Sequence, residues 1–434
     1  MSSLPGPLLN WLTGARWFAG KGRSPQPGTL RALDWFVHDD QLSIRTEIVE
    51  VDFADGSREL YQLPLAYRPA GAEAPALFEV DADSAPTGPG GQPLTQVSDA
   101  LTDAEALTRL VPVLAAAANT PTWTAVIVRP ADLTGELRTF GGEQSNTSVM
   151  IGTRAMAKFF RRLEPGANLD IAVHDALGRS GVTSVASLYG WLTTATDQGD
   201  QIDLAMIVQQ LPQARDGWEL ATAAAKAGTD FSADAAELGT ALARIHQALK
   251  DTFPSTTLSG SALARGMRDR LTSARREAPA LDELAEPLEA IFDQVGDKPL
   301  PGQRIHGDFH LGQTLHTADG WRIIDFEGEP IKTLAERSEP DSVWRDVAGM
   351  LRSFAYATSA CEDPHSDQAQ QWYQATSQAF LQAYQRVTGQ SRMNEEALRA
   401  YITDKAVYEV VYETRNRPTW VDIPLGALRS LTSA

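Results

Sequence analysis

The sequence predicts an α+β protein with two lobes, a β-rich lobe followed by a helical lobe, and an additional α+β domain at the N-terminal end. Apolar and polar residues alternate with a period of two through most of the first half of the 434-residue chain. From Arg215 onward the spacing is helical, and only residues 302–329 interrupt it with two short strand-like runs around a turn. The chain is also too long for one domain of ordinary size.

The N-terminal α+β domain is assigned to residues 1–100. Three alternating runs between Leu30 and Tyr67, separated by the turn sequences HDD and ADGS, predict an antiparallel meander. A loop rich in glycine and proline follows at residues 82–93. Asp103 precedes a segment with helical spacing, and its side chain is expected to cap that helix. The first domain is therefore expected to end at about residue 100.

The β-rich lobe is assigned to residues 101–211 and the helical lobe to residues 212–434. One helix is expected inside the β-rich lobe, and Arg161 and Arg162 are expected at a solvated strand end. The strand-like and helical runs of this lobe are TWTAVIVRP, TSVMI, AMAKFF, a helix from about Asn168, and strands near Leu188 and from Leu204 to Gln210. Together the two lobes give the order β-rich lobe, hinge, helical lobe with an embedded loop.

The composition excludes several classes of partner. The formal net charge is −18, which repels nucleic acid and anionic lipid. No window approaches the roughly 18 apolar residues of a membrane span. The N-terminus lacks the basic and apolar regions of an export signal, so a cytoplasmic protein without a membrane partner is expected. Cys361 is the only cysteine, which excludes an internal disulfide and a cysteine zinc cluster.

The strongest chemical signal is the segment HGDFHLGQ at residues 306–313, followed by GWRIIDFE at residues 320–327. Protein kinases use an Asp that accepts the proton of the acceptor hydroxyl, a carboxamide five positions later that holds a metal ion, and a second Asp that binds metal. Asp308, Gln313 and Asp325 follow this pattern. Oxygen ligands of this kind suit Mg²⁺. The sequence therefore predicts Asp308 as the base and Gln313 and Asp325 as Mg²⁺ ligands in a protein-kinase-like architecture that uses ATP.

A different interpretation treats His306, Asp308 and His310 as ligands of a hydrolytic metal site. Histidine and carboxylate ligands would favour Zn²⁺ or Mn²⁺. The chain contains seven histidines and shows no second cluster of His and Asp that would complete a two-metal site. The kinase interpretation is therefore favoured.

A nucleotide-binding loop is predicted upstream, at residues 141–148 with the sequence GGEQSNTS. A small loop between strands can present backbone N–H groups to phosphates, and a lysine on the next strand can pair with them. In a kinase-like lobe that lysine usually pairs with a carboxylate on the following helix, where Asp170 and Asp175 are both available. The predicted nucleotide-binding residues of this region are Gln144, Ser145, Asn146, Thr147, Ser148 and Lys158.

A sugar site is predicted near the C-terminus, where residues 408–420 combine aromatic side chains with charges of both signs. Sugar recognition needs apolar faces for stacking and polar groups for the hydroxyls. A final amphipathic helix with a satisfied ion-pair network explains the same residues without a ligand. The residues assigned to the acceptor sugar are His306, Asp308, Tyr412, Glu413, Arg417 and Trp420.

With these motifs in view, the chain resembles the maltokinase group of sugar kinases, which are relatives of the aminoglycoside phosphotransferases. The resemblance implies an N-terminal cap domain, ATP below the EQSNTS loop, Lys158 in contact with phosphates, and a sugar on the helical lobe. It also implies that Gln209 and Gln210 form the hinge that faces adenine. The motifs are RWFAGK, EQSNTS, KFFRRLEPG, LAMIVQQLPQARDGWELA, HGDFHLGQTL, GWRIIDFEGEP, RDVAGMLRSF and KAVYEVVYETRNRPTW, and they extend over nearly the whole chain.

One departure from the maltokinase pattern follows Gly166. Asn-Pro-Asp with a following Glu is usual in that group, whereas this chain has NLDIA at residues 168–172. The departure favours a branch that resembles actinobacterial glucosamine kinases, and the ammonium of glucosamine would suit an acidic pocket that includes Glu413 or Asp308. The expected reaction is ATP- and Mg²⁺-dependent phosphorylation of D-glucosamine to glucosamine 6-phosphate, with maltose 1-phosphate formation as the alternative. The missing Glu at Ala172 also leaves open a kinase-like binding or regulatory module without activity.

Overall fold

The computed structural model describes residues 2–3, 6–26, 28–141, 145–329, 332–364, 366–389 and 394–433. The chain divides into two compact units. The first unit comprises Met1–Ala172 and Ala186–Pro212, and the second comprises Val173–Val185 and Gln213–Ala434. The division into domains at residues 100 and 211 stays a prediction.

The N-terminal sheet of the first unit is built on a long hairpin, which confirms the predicted meander. Its two central strands pair from Ser43 opposite Tyr67 to Asp52 opposite Arg58. Both faces of the second central strand are buried, because one face packs on the N-terminal helix region and the other on the core of the β-rich lobe. The elements are β1 (Ser2–Ser3), α1 (Gly6–Gly14), β2 (Pro25–Gln26), β3 (Thr29–Ala32), β4 (Ser43–Phe53), β5 (Arg58–Arg68), β6 (Phe78–Glu79) and β7 (Gln96–Asp99).

Helix α2 (Ala104–Ala115) follows this sheet and begins where the sequence predicts. The side chain of Asp103 accepts a hydrogen bond from the backbone N–H of Ala106 at 3.0 Å, which confirms the predicted cap. Arg68 also donates to both carboxylate oxygens of Asp103, at 2.6 and 3.1 Å. The start of α2 is therefore fixed to strand β5.

The β-rich lobe contains a seven-stranded sheet among its described residues, and its strands lie in the spatial order 137–139, 146–151, 155–160, 201–209, 188–195, 124–127 and 118–119. Strand β13 pairs instead with β5, so the two sheets of the first unit are joined by backbone hydrogen bonds. The elements are β8 (Ala118–Asn119), β9 (Thr124–Ile127), β10 (Leu137–Thr139), β11 (Asn146–Ile151), β12 (Ala155–Phe160), β13 (Arg162–Leu163), α3 (Leu169–Arg179), β14 (Leu188–Ala195) and β15 (Gln201–Gln209). The expected strands and the single inserted helix are confirmed.

The expectation of a solvated strand end at Arg161 is wrong. Arg161 is 1% exposed, and its guanidinium donates to Asp99 of β7 at 2.6 Å and to Thr147 of β11 at 2.8 Å. The guanidinium also lies 4.6 Å from the ring centroid of Trp17. The neighbouring Arg162, with 45% of its side chain exposed, fits the expectation.

The second unit is mostly helical, as predicted, and its core surrounds α9. Among its described residues, two short ladders interrupt the helices. One joins residues 215–216, 314–317 and 320–323, and the other, which the sequence did not indicate, joins residues 256–259 and 299–302. None of the helices in the described ranges is both long and apolar enough to cross a membrane. The elements are β16 (Arg215–Asp216), α4 (Gly217–Ala227), α5 (Ser232–Thr252), β17 (Thr256–Ser259), α6 (Gly260–Glu277), α7 (Ala285–Asp293), β18 (Pro299–Gly302), β19 (Thr314–Thr317), β20 (Gly320–Ile323), α8 (Leu334–Ser338), α9 (Trp344–Ala357), α10 (Asp367–Thr388), α11 (Glu395–Asn416) and α12 (Asp422–Ser433).

Candidate active site

The loop that contains Asp308 is fixed to α9 by one buried carboxylate, that of Asp346. Its Oδ2 accepts a hydrogen bond from the backbone N–H of His306 and its Oδ1 from that of Gly307, both at 2.8 Å. His246 of α5 contacts Oδ2 through Nε2, also at 2.8 Å. Asp346 is fully buried, where hydrogen bonds to an ionised group are strong. The backbone is therefore held in place immediately before the predicted base.

The sequence analysis did not identify Asp346. The available signal was a charged pair, Arg345 and Asp346, at the start of the largely apolar helical run RDVAGMLRSF. Arg345 has its own partner, because its Nε lies 2.5 Å from Oδ2 of Asp341. Both members of this charged pair thus anchor the start of α9 to the segments beside it.

His306 contributes to the structure of this loop. His306 is 2% exposed. Its Nε2 lies 3.0 Å from the carbonyl oxygen of Ile324, and its Nδ1 accepts a hydrogen bond from the backbone N–H of Asp308 at 3.4 Å. The ring also packs against Phe326, with 4.8 Å between centroids. The structure does not support the predicted contact of His306 with substrate, because both ring nitrogens already have partners within the protein.

Asp308 forms an ion pair that the sequence did not predict. Lys405 of α11 donates from Nζ to Oδ1 of Asp308 at 3.2 Å, and the two side chains are 22% and 21% exposed, respectively. Burial raises the pKa of Asp308, but Lys405, His310 and His306 act in the opposite direction, so the pKa lies below its ordinary value. The carboxylate is therefore ionised at neutral pH, as a proton acceptor must be.

Gln313 and Asp325, the predicted metal ligands, contact each other. Nε2 of Gln313 donates to Oδ2 of Asp325 at 3.2 Å. Asp325 has a φ of +66°, in the left-handed region that costs an L-residue roughly 1–2 kcal/mol and that clusters at functional sites. A carboxylate oxygen of Glu327 lies within 4.8 Å of one of Asp325. Glu327 thus joins the two predicted residues as a third oxygen donor, although the sequence analysis gave it no role.

The alternative hydrolytic metal site is not formed by the described residues. His306 uses both ring nitrogens in other contacts, and Nδ1 of His310 accepts from the backbone N–H of Gly312 at 3.1 Å. Burial lowers the pKa of His310, although the carboxylates of Asp308 and Asp325 act to raise it. His310 is therefore a neutral neighbour of both predicted functional carboxylates.

Lys158 of β12 pairs with Asp170 in the first turn of α3. Nζ lies 3.0 Å from Oδ2, and both residues are buried. Asp175, the other candidate partner, forms an ion pair with Arg179 at 2.6 Å. The structure therefore selects Asp170 between the two possibilities. The missing glutamate at Ala172 was the main reason to consider a kinase-like module without activity. Because the carboxylate of Asp170 reaches Lys158, that reason is weakened.

The predicted phosphate-binding loop leads directly into β11. Ser145 precedes the strand and is exposed, and Gln144 lies outside the described residues. Ser148 stands opposite Lys158 in the antiparallel register. Three of the predicted residues belong to β11 and are buried: Asn146, Thr147 and Ser148. Contact between this segment and phosphates stays a prediction.

Gln209 and Gln210 lie at the end of β15, where the hinge is predicted. The backbone N–H of Gln209 donates to the carbonyl of Ser187 at 2.8 Å, and its Oε1 accepts from the N–H of Ser187 at 3.3 Å. The N–H of Gln210 donates to the carbonyl of Arg154 at 2.9 Å. The backbone at this position is well defined, and its contact with adenine stays a prediction.

Helix α11 presents two exposed aromatic rings one turn apart. Tyr408 and Tyr412 are 41% and 42% exposed, and their rings stack at 6.4 Å with 28° between the planes. Nζ of Lys405 lies 5.1 Å from the Tyr408 ring. The guanidinium of Arg417 lies 5.4 Å from the ring of Tyr412 and 4.8 Å from that of Trp420. This aromatic surface is therefore continuous with the lysine that contacts the predicted base.

Glu413 lies beneath that surface and is 1% exposed. Its Oε1 accepts from Arg417 at 2.7 Å and from the hydroxyl of Tyr356 at 3.4 Å. Its Oε2 has no hydrogen-bond partner among the described residues. The nearby Glu409 is neutralised by Arg352 at 2.7 Å. A buried acceptor without a donor is costly, so Oε2 of Glu413 is suited to one further N–H or O–H donor.

Comparison with known families assigns the chain to the phosphotransferases. Residues 136–389, more than half of the chain, match the phosphotransferase enzyme family. Residues 11–103 match the maltokinase N-terminal cap domain. The chain therefore belongs to the phosphotransferase enzyme family and has a maltokinase-type cap. The predicted α+β kinase-like fold with a cap domain is confirmed.

The chain is also similar to proteins of the predicted glucosamine kinase branch. A glucosamine kinase of Streptacidiphilus jiangxiensis is 30% identical over 323 residues, which cover 68% of this chain and 73% of that protein. A glucosamine kinase of Mycolicibacterium smegmatis is 28% identical over 316 residues, covering 67% and 78%. A solved structure of a glucosamine kinase in complex with glucosamine, ADP and inorganic phosphate has a TM-score of 0.72 at 24% identity, and the match covers 97% of this chain and 98% of that chain. The predicted resemblance is confirmed.

Proposed function

We propose that this protein is an ATP- and Mg²⁺-dependent carbohydrate kinase that transfers the γ-phosphate to the 6-hydroxyl of D-glucosamine. The observation on which the chemistry depends is the partly exposed carboxylate of Asp308, paired with Lys405 and placed in a loop fixed by Asp346. The family membership supports phosphoryl transfer, and the names of the two curated relatives support the sugar.

In the proposed reaction, Asp308 accepts the proton of the sugar hydroxyl as the hydroxyl oxygen bonds to the γ-phosphorus. Phosphoryl transfer has a loose transition state in most analyses, so orientation and charge contribute more than proton transfer. Lys158, oriented by Asp170, would contact the phosphates of ATP. The contacts with Lys405 and Asp170 give Asp308 and Lys158 defined positions.

Gln313, Asp325 and Glu327 would hold Mg²⁺ in this protein. An amide oxygen and two carboxylates are the oxygen donors that Mg²⁺ prefers, and the ligand atoms of Asp325 and Glu327 lie within 4.8 Å of each other. When bound, the ion supplies positive charge to the phosphate oxygens. The donor set therefore fits the proposed cofactor.

The surface of α11 supports an amino sugar as the acceptor. The exposed rings of Tyr408 and Tyr412 offer flat faces on which a sugar ring can stack. Oε2 of Glu413 lacks a donor, and the ammonium of D-glucosamine could supply one. Asp308 is less suited to bind that ammonium, because Lys405 already occupies one of its oxygens.

The second candidate is maltose, with maltose 1-phosphate as the product. The match of residues 11–103 to the maltokinase cap domain favours it. Maltose is neutral and would be phosphorylated at its anomeric hydroxyl, so the charge of the acceptor and the position of the phosphate distinguish the two candidates.

An ADP-release assay with Mg²⁺ and ATP, followed by NMR location of the phosphate, tests the proposal. D-Glucosamine should be preferred over glucose and N-acetylglucosamine by about 10-fold or more in kcat/KM, since a hydrogen bond to a charged group contributes roughly 1.5–3 kcal/mol. An Asp308→Asn preparation should retain at most about 1% of the rate, which excludes a contaminating kinase. Preference for maltose with an anomeric phosphate would favour the second candidate, and transfer to no sugar would contradict both.

A further inference from the structure

We propose that Lys405 is a positioning residue for phosphoryl transfer, which holds Oδ1 of Asp308 and thereby directs Oδ2 towards the acceptor hydroxyl. This inference deepens the proposed function and rests on it. The direct observation is the hydrogen bond from Nζ to Oδ1 at 3.2 Å, between side chains that are about four-fifths buried. A carboxylate with one oxygen bound to a fixed cation has a defined orientation, and its second oxygen is available to the substrate.

The backbone on each side of this ion pair is fixed. Asp308 follows Gly307, whose N–H is bound to Asp346. Lys405 follows Asp404, which accepts two hydrogen bonds from Arg270, at 2.9 and 2.8 Å. The contact therefore joins two segments whose backbones are each held by a hydrogen-bonded, buried carboxylate, Asp346 for the loop and Asp404 for α11.

Other acids near Lys405 already have cationic partners. Glu329 is paired with Lys332 at 3.0 Å and with Arg345 at 3.5 Å. Glu409 is paired with Arg352 at 2.7 Å. Among the described residues, Asp308 is the carboxylate within ion-pair distance of Lys405. The cation is thus directed at the predicted base and not at a general acidic surface.

The ion pair between Lys405 and Asp308 has a role in the transfer step. The acceptor O–H bond breaks and its proton passes to Oδ2 of Asp308. The acceptor oxygen bonds to the γ-phosphorus, and the bond to ADP breaks with its electron pair remaining on ADP. When Oδ2 of Asp308 takes up the proton, the carboxyl group becomes neutral. The ammonium of Lys405 is then no longer balanced by that carboxylate, and its positive charge acts on the adjacent phosphate ester.

Pairing with Lys405 makes Asp308 a weaker base, because a neighbouring cation lowers the pKa of a carboxyl group. In a loose transition state this loss is small, whereas misplacement by about 1 Å can reduce a rate about 100-fold. The orientation that Lys405 provides therefore outweighs the loss of basicity.

Substitution of Lys405 tests the proposal. Lys405→Met should lower kcat about 100-fold, with the KM for ATP changed by less than about twofold, because the base is misoriented while the nucleotide site is intact. Lys405→Arg should recover about 10-fold or more of that loss, since it restores a cation. The matched control is Lys298→Met, an exposed lysine 3.6 Å from Glu396, which should leave kcat unchanged.

A double-mutant cycle separates positioning from simple stabilisation. If Lys405 acts through Asp308, the double variant Asp308→Asn with Lys405→Met should be no slower than Asp308→Asn alone. Additive losses would overturn the proposal. A lower unfolding midpoint for Lys405→Met with unchanged kcat per folded molecule would also overturn it, because the ion pair would then be structural only.

The test remains valid if D-glucosamine is not the acceptor. The same variants would be assayed with the sugar that the ADP-release screen identifies. If no sugar is phosphorylated, ¹³C NMR of aspartate-labelled protein still reports the pair, with the Asp308 resonance assigned from its loss in Asp308→Asn. The titratable groups that face this carboxyl are Lys405, which is the cation paired with it, and the imidazoles of His310 and His306. Its titration midpoint should rise in Lys405→Met, and an unchanged midpoint would overturn the proposed contact.

Discussion

Lys158 and Asp170 form a buried ion pair, and we propose that it takes the place of the lysine–glutamate pair usual in kinase lobes. Asp170 lies two positions before Ala172, where the maltokinase pattern has its glutamate. The shorter side chain of Asp170 still reaches Nζ at 3.0 Å. Lys158 therefore has a carboxylate partner on the following helix, although that partner is not at the position of the glutamate.

Substitution of Asp170 should reveal this role. Asp170→Asn is expected to lower kcat/KM for ATP about 10- to 100-fold, because Lys158 loses the charge that orients it towards the phosphates. Asp170→Glu should retain more activity, since it keeps the charge. Asp175→Asn is the control, because Asp175 pairs with Arg179 on the same helix. Steady-state kinetics with ATP as the varied substrate would measure these effects, and equal losses for Asp170→Asn and Asp175→Asn would contradict the assignment.

Some site residues could be predicted from the sequence and others could not. Asp308, Gln313 and Asp325 lie within one short segment, so their spacing alone indicated a shared site. Lys405 and Asp346 contact the same loop from helices that follow it in the chain. The sequence around a charged residue on a helix does not show which distant residue it contacts. The sequence also does not show which side chains are buried, which is why His306 was expected to face substrate although it is 2% exposed.

At the level of elements, α9 holds the loop of the predicted base through the carboxylate of Asp346. This group accepts hydrogen bonds from the backbone at His306 and Gly307 and contacts Nε2 of His246. Nδ1 of His246 in turn lies 2.8 Å from the hydroxyl of Tyr384 on α10. The loop is therefore connected to three helices by one buried polar network, whose members depend on one another.

Asp346→Asn should damage both stability and activity. An amide has one acceptor oxygen, so at least one of the loop N–H groups should lose its partner. We expect the free energy of unfolding to fall by about 1.5–3 kcal/mol and kcat to fall about 100-fold. Chemical denaturation and steady-state kinetics would measure these changes. The control is Asp282→Asn, whose exposed pair with Arg275 should contribute about 0–1 kcal/mol. A stability loss no larger than that of the control would contradict the proposed anchoring.

Most elements followed from periodicity, and the exceptions have physical causes. Strands β4 and β5 and helix α2 were recognisable from alternation and from the Asp103 cap. The β17-β18 ladder was missed because β18 has the sequence PLPG, in which proline and glycine normally argue against a strand. Its formation depends on tertiary pairing with residues 40 to 46 positions earlier, which the local sequence pattern does not show.

At the scale of the whole molecule, the N-terminal sheet and the sheet of the β-rich lobe belong to one compact unit. Strand β13 pairs with β5, and the buried side chain of Gln62 donates to the carbonyl of Phe160 at 2.8 Å. The cap was predicted from motifs and resemblance. The sequence did not predict these connections between the two sheets, because they join residues about 100 positions apart that share no local pattern.

Arg161 connects the two sheets of this unit, because its guanidinium donates to Asp99 of the N-terminal sheet and to Thr147 of β11. Arg161→Met should lower the free energy of unfolding by about 3–5 kcal/mol, because it leaves the buried carboxylate of Asp99 without its cation. The adjacent Arg162→Met is a matched control, as its side chain is 45% exposed, and should change stability by less than about 0.5 kcal/mol.

The loss of stability caused by Arg161→Met should also be detectable in particular strands. Hydrogen exchange measured by mass spectrometry should become faster in peptides of both β5 and β11, because the guanidinium contacts the sheets to which both strands belong. Arg162→Met should leave both exchange rates unchanged. If exchange became faster in only one of the two sheets, Arg161 would stabilise that sheet alone, and the two sheets would be held together chiefly by the backbone pairing of β13 with β5.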